Sequence, residues 1–237
     1  GGGGSPNVVQ SKASVLYMVR SPQVKKAVEL QKRVDDIAAG AALMTGTTCE
    51  RKFIDGVAET IPNHVLEALL HQNFAEVGVP QHTSQEMTFA AELAATYDAG
   101  GHIPGSGSEN ADYAARVKTL LPGTAMNDVL LPLFTGEAFC PGSTDVGDVS
   151  WQCPTAQLHV ASWPNGCPGH SWQNVSCDRT EIGHKAALCA GKVLAATAID
   201  LFEDTSLLDE ARAEFEKRTK DGYVCPIPKD AVPVIPD

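Results

Sequence analysis

The sequence predicts an α/β chain, and three observations predict it. Residues 13–19 (ASVLYMV) are rich in β-branched and apolar side chains in alternation, which is the pattern of a strand. Directly after them, apolar residues recur at helical spacing from Val24 to Ala38. A second β-rich run, Gln157 to Ser162, precedes a long alanine-rich helical stretch from Glu181 to Glu203.

The chain opens Gly1-Gly2-Gly3-Gly4-Ser5-Pro6-Asn7. Such a run reads either as a flexible synthetic linker or as a glycine-rich loop within a longer polypeptide, and the residues after it favour the loop. After the first strand, Ser21-Pro22 supplies an N-cap and a proline suited to a first helical position. Val24, Val28, Leu30, Val34, Ile37 and Ala38 are spaced for the buried stripe of a helix ending near Gly40. Ala41 to Val57 reads as one or two strands with a turn at Asp55-Gly56. Strand, helix and strand in this order make half of an α+β layer.

Asn63 caps a second helix that stops at Gly78, and Thr83 or Ser84 caps a third that runs to Tyr97. The stretch DAGGHIPGSGSE is a loop by composition, and a shorter helix follows from about Ala111 to Leu121. Residues 142–180 read as loop and short strands, with QLHVAS the clearest strand. Helices over Glu181 to Glu203 and Ser206 to Lys220 precede a proline-rich, extended tail.

The 237 residues can hold one large domain or two modest ones, and no apolar run approaches the length of a membrane span. A net charge of −11 with no basic stripe excludes a nucleic-acid backbone partner. Seven scattered cysteines without a CxxC pair are neither a disulfide framework nor a zinc knuckle, and they point to a reducing, cytoplasmic compartment.

The chemistry-bearing residues concentrate in two loops, Gly142-Ser143-Thr144-Asp145-Val146-Gly147-Asp148 and Gly169-His170-Ser171-Trp172. Small and hydroxyl side chains free the backbone or bond to it, so such loops are where ligands are commonly held. Asp145 and Asp148 could do acid–base work or simply form turns. Of the seven histidines, His170 stands at a loop-to-element junction and is the candidate metal ligand, although a metal needs three or four such groups. His64 and His71 read as helix-surface residues, His159 as a core histidine and His184 as a capping residue. Cys167 beside His170 could suggest a nucleophile and base, but four consecutive residues are poorly placed for that geometry.

SPNVVQSKASVLYMVRS, RVDDIAAGAALMTGT, GSTDVGDVSW, PGHSWQNV and HKAALCAGKVLAATAIDLF, in this order, resemble the aminobenzoyl-glutamate utilization type of amidohydrolase. That group lies among the aminoacylase and carboxypeptidase G-like metallopeptidases. The resemblance implies part of a di-metal, aminopeptidase-like α/β catalytic domain, together with most of an α+β, ferredoxin-like lid that also dimerises. On this expectation residues 1–61 are lid and 62–237 the C-terminal part of the catalytic domain.

By the same resemblance His170 is a metal ligand, Asn7 and Arg20 grip a substrate carboxylate or oxyanion, and Ser143, Thr144 and Asp145 line the substrate pocket. The implied cofactors are two divalent ions, zinc or manganese. The family's remaining ligands and its general base would lie upstream of Gly1, so no catalytic residue is expected in this chain. The expected partners are a small-molecule amide substrate, an N-terminal part of the same enzyme or a second chain, and a second copy through the lid. The opposing expectation is a non-catalytic binding or assembly module that has lost its metal centre.

Overall fold

The computed structural model describes residues 5–98, 111–121, 123–136 and 142–232. The expected loop around His102, Pro122 after the fourth helix and the last five residues of the tail lie outside them. The described residues form eight helices: α1 Val24–Thr45, α2 His64–Val77, α3 Ser84–Ala94, α4 Ala111–Leu120, α5 Val146–Ser150, α6 Trp172–Asp178, α7 Glu181–Glu203 and α8 Ser206–Arg218. None of these helices is long and apolar enough to cross a membrane.

Helices whose ends carry a local chemical signal fall where the sequence places them. Asn63 caps α2 by accepting from the Leu66 amide at 3.1 Å. Thr83 and Glu86 close a capping box on α3, the Thr83 amide reaching the Glu86 carboxylate at 2.7 Å and the Glu86 amide the Thr83 hydroxyl at 3.3 Å.

The strand expectations meet a different outcome: no β-ladder is formed among the described residues. Residues 13–19 and 157–162 carry no regular element, and Ala41 to Thr45 continue α1 instead of starting a strand. The reason for the last is local. Ala41-Ala42-Leu43-Met44 are strong helix formers, and the left-handed residue that ends the helix is Gly46 (φ 63°), not Gly40. The Gly46 cap is completed by the Thr47 amide bonding to the Ala42 carbonyl at 3.0 Å. At the other end Gln23, not Ser21, occupies the cap position, and the Val24 amide is taken by the Glu59 carboxylate at 2.9 Å. A side chain from elsewhere in the chain thus replaces the local cap.

The chain divides into two compact units. The first holds described residues 5–59, 142–148 and 224–232, and the second 60–98, 111–121, 123–136 and 149–223. In the first unit the stripe expected on α1 is only partly covered: Val24 is buried, Val34 and Ala38 are half-buried, and Val28, Leu30 and Ile37 are exposed, Ile37 to 70%.

The second unit has the packed interior. Leu70 and Phe74 of α2 meet Cys189 and Val193 of α7, with Leu158 and Val160 against them. A second cluster joins Ala90 of α3, Met126 and Ile182 of α7. Residues 157–160 keep the period-two alternation that predicted a strand: Leu158 and Val160 face the core, whereas Gln157 and His159 are exposed. His159 is therefore a surface residue, not a core histidine.

Candidate functional site

The Ser143–Asp145 loop is built by its own backbone. The Gly147 amide bonds to the Thr144 carbonyl at 3.1 Å, and the Asp148 amide to the Asp145 carbonyl at 3.1 Å. The Thr144 hydroxyl accepts from the Val146 amide at 3.3 Å and donates towards the Asp145 carboxylate at 3.4 Å. These bonds start α5, so the segment expected as loop and strand becomes a turn leading into one and a half helical turns. Ser143, Thr144 and Asp145 all remain exposed.

Asp148 and Ser150 point the other way, into the structure. Asp148 accepts from the Ala58 amide at 3.2 Å, and the Ser150 hydroxyl accepts from the Ile61 amide at 2.8 Å. Asp148 is thus a backbone anchor and not the acid–base partner of Asp145.

Asn7 and Arg20 are exposed, Asn7 in a turn where the Val8 amide bonds back to the Ser5 carbonyl at 3.3 Å. The Arg20 Nε lies 3.0 Å from the Met18 sulfur. Both belong to the first unit, as do Ser143, Thr144 and Asp145, whereas His170 belongs to the second.

His170 sits on a turn held from several sides. The Asn165 amide donates to the Ala125 carbonyl at 2.7 Å, its side chain donates to the Thr124 carbonyl at 3.1 Å, and the Tyr97 hydroxyl donates to the Asn165 carbonyl at 3.0 Å. Beyond His170, Ser171 donates to the Pro168 carbonyl at 2.6 Å and caps α6 by accepting from the Asn174 amide at 3.2 Å. His170 itself has φ 56°, the left-handed region that a residue with a Cβ adopts at a cost. The residue is exposed to solvent.

A metal shell needs more than this. Among the described residues no group of three or more His, Cys, Asp and Glu converges as metal ligands would. His170 is suited to contribute one imidazole, and the donor set described for this chain does not make a centre by itself.

The thiols do not offer a nucleophile in its place. Burial pushes the Cys167 thiol above its ordinary pKa, with a partly compensating hydrogen bond from Ser171. Burial likewise raises Cys177, to about 11. A reactive cysteine requires the opposite shift. Three further histidines are engaged structurally or lie at the surface: His64 meets the Glu67 carboxylate at 2.7 Å, His71 the Leu131 carbonyl at 2.9 Å, and His184 lies 3.6 Å from Glu181 at the surface. An open cleft of about 360 Å³ runs beside α7 between Val160, Ser162, Asp178 and His184, and it contains no expected site residue.

His82 is the residue that sequence reasoning missed. Its side chain is 2% exposed, and neither ring nitrogen has a hydrogen-bond partner. The Glu86 carboxylate stands 3.7 Å away, already held by Lys185 at 2.8 Å. Burial lowers the His82 pKa, the largest of several influences. Nothing in the residues around it (PQHTSQ) marks a buried position, because its burial comes from contacts remote in sequence.

No family model and no solved structure matches the chain. The chain is 39% identical over 98% of its length to a p-aminobenzoyl-glutamate hydrolase subunit of Escherichia coli (strain K12), and the match covers 49% of that protein. It is 24% identical to the Xaa-Arg dipeptidases of mouse and human, over 91% and 93% of its length and 38% and 39% of theirs. The chain thus spans about half, or less, of the curated relatives it matches.

Proposed function

We propose, from the premise that this chain belongs with the aminobenzoyl-glutamate utilization amidohydrolases, that it forms the lid and C-terminal portion of a metal-dependent amidohydrolase. Its substrate is p-aminobenzoyl-glutamate or a similar N-acyl amino acid. The observation that carries this reading is the 39% identity to a p-aminobenzoyl-glutamate hydrolase subunit across almost the whole chain.

In this reading Arg20 and Asn7 bind what the substrate makes negative. The guanidinium pairs with a carboxylate of the amino-acid half, and the Asn7 amide donates to the carbonyl oxygen as charge develops on it. Ser143, Thr144 and Asp145 line the pocket with hydroxyl and carboxylate groups suited to the polar edge of the substrate. His170 contributes an imidazole ligand to a site of two divalent ions, zinc or manganese, whose other ligands and glutamate base lie outside this chain. Divalent ions held there would supply Lewis-acid polarisation of the amide.

Two structural facts support completion by another segment or chain. One face of α7 leaves Leu188, Leu194, Ile199 and Phe202 at 61%, 51%, 55% and 86% exposure, a run of apolar surface that a helix in a finished core does not show. In the first unit Val15, Leu16, Tyr17 and Met18 are all at least 68% exposed, which supports pairing of the lid with a second copy. The free thiols Cys49, Cys153, Cys167, Cys177, Cys189 and Cys225 support a reducing, cytoplasmic setting.

The test is to produce the chain together with the N-terminal segment of its full polypeptide, or with a candidate partner chain. Release of p-aminobenzoate is then followed with and without chelator. Activity lost on chelation, restored by zinc or manganese and absent in His170→Ala is the expected result. Full metal-dependent activity in His170→Ala overturns the role given to that residue.

A further inference from the structure

Three segments far apart in sequence meet at Ala58 and Glu59, all within the first unit. The Val24 amide, at the start of α1 and four residues after Arg20, donates to the Glu59 carboxylate at 2.9 Å. The Ala58 amide donates to the Asp148 carboxylate at 3.2 Å. Gly147, itself buried, lies so close to this backbone that a Cβ placed on it would collide with the Ala58 carbonyl oxygen. Ala58 is only 5% exposed.

The other end of this anchor is the turn that starts α5. The amides of Gly147 and Asp148 bond to the carbonyls of Thr144 and Asp145, so the anchor and the Ser143–Asp145 loop form one rigid turn. Wherever Gly147 and Asp148 are fixed, the orientation of Ser143, Thr144 and Asp145 follows.

The geometry points to Gly147 and Asp148 as positioning residues that lock the Ser143–Asp145 loop onto the Ala58 backbone, so that this loop moves with the unit carrying Asn7 and Arg20. The inference rests on the proposed amidohydrolase function and deepens it. The proposed substrate-recognition residues are then grouped on the first unit. Glycine is required at 147 because only a residue without Cβ permits the approach. Asp148 is required as an acceptor, because a buried amide left without one carries its full desolvation cost. Small displacements of a substrate-positioning group cost rate steeply, so the anchor matters although it touches no substrate.

The test uses the completed enzyme and three variants. Asp148→Ala removes the acceptor, Asp148→Asn keeps an oxygen for the Ala58 amide, and Gly147→Ala introduces the collision. Amide hydrogen exchange at Ala58 and at residues 145–148 reads the lock without activity: protected in the unmodified protein, about tenfold faster in Asp148→Ala, and restored in Asp148→Asn. Turnover of p-aminobenzoyl-glutamate reads its consequence: KM rises about tenfold in Asp148→Ala and at least as much in Gly147→Ala, with bound metal unchanged. Unchanged exchange at Ala58 in Asp148→Ala overturns the proposal, and so does a fall in kcat and metal content with KM unmoved. If the unmodified enzyme proves inactive on this substrate, the functional reading fails while the exchange measurement still decides the lock.

Discussion

Replacing His170 separates what this residue does for stability from what it does for chemistry. Its φ of 56° puts it in the left-handed region, which costs an L-residue about 1–2 kcal/mol and glycine nothing. Glycine loses more backbone entropy on folding, a penalty of roughly 0.5–1 kcal/mol relative to alanine. The imidazole is exposed, so its removal sacrifices little packing. His170→Gly should therefore be more stable than His170→Ala by about 0.5–1 kcal/mol, the difference between the two effects. Urea unfolding followed by the intrinsic fluorescence of Trp151, Trp163 and Trp172 measures this, the last two lying within eight residues of His170. The comparison between the two variants cancels side-chain loss and leaves only the backbone. An alanine variant as stable as the glycine variant, or more so, refutes the strained-ligand argument. Both variants should lose metal-dependent hydrolysis, so the more stable protein is also inactive.

The second unit supports three further predictions. Asn63, 2% exposed, caps α2 and also donates to the Ala211 carbonyl at 2.8 Å; Asn63→Ala should cost about 2–4 kcal/mol in chemical denaturation, and Asn63→Ser, which keeps the cap, distinctly less. Equal losses in the two variants would remove the cap from the argument. His82 is held neutral by burial, its folded pKa below the ordinary 6.5. The unfolded chain takes up the proton first, so this contribution to stability is present above about pH 6.5 and is lost as pH falls through the folded value. His82→Leu should flatten the Tm profile in that window and be no less stable at pH 7.5, since both ring nitrogens are unsatisfied; a slope retained in the variant would point to another group. The Lys185 hydrogen bond, followed by the Thr83 amide, holds the Glu86 carboxyl below its ordinary range. That contribution is present above the ordinary glutamate pKa and is lost as pH falls through the lowered one. Lys185→Met should shrink the loss of Tm on acidification below about pH 4.5, and an unchanged acid limb would refute the pairing.

The parts of this protein legible in its sequence are those whose signal is local. Asn63, the Thr83–Glu86 box and Gly78 carry chemistry that starts or stops a helix within a few residues of it, so α2 and the start of α3 fall where they read, as does the alanine-rich α7; α6, capped by Ser171, stands where loop and short strands were expected. The ordered motifs from SPNVV to the α7 helix were enough to assign the chain to its relatives, because a motif series survives without knowledge of contacts. The alternation at 157–160 separates the inward Leu158 and Val160 from the exposed Gln157 and His159, although His159 was expected in the core; whether such a run becomes a strand depends on a neighbour to pair with, which no local pattern contains.

Tertiary structure decided the rest, and for one physical reason: the deciding partner lies tens of residues away. The start of α1 moved from Ser21 to Gln23 because Glu59 supplies the acceptor that a local cap would otherwise provide. His82 became a buried, unsatisfied imidazole through contacts that its flanking residues do not announce. Asp148, indistinguishable from Asp145 as a letter three positions away, became an anchor because the Ala58 amide happens to meet it. Motif order determined the likeness to amidohydrolase relatives; only the fold determined which of two neighbouring carboxylates faces solvent and which holds the backbone in place.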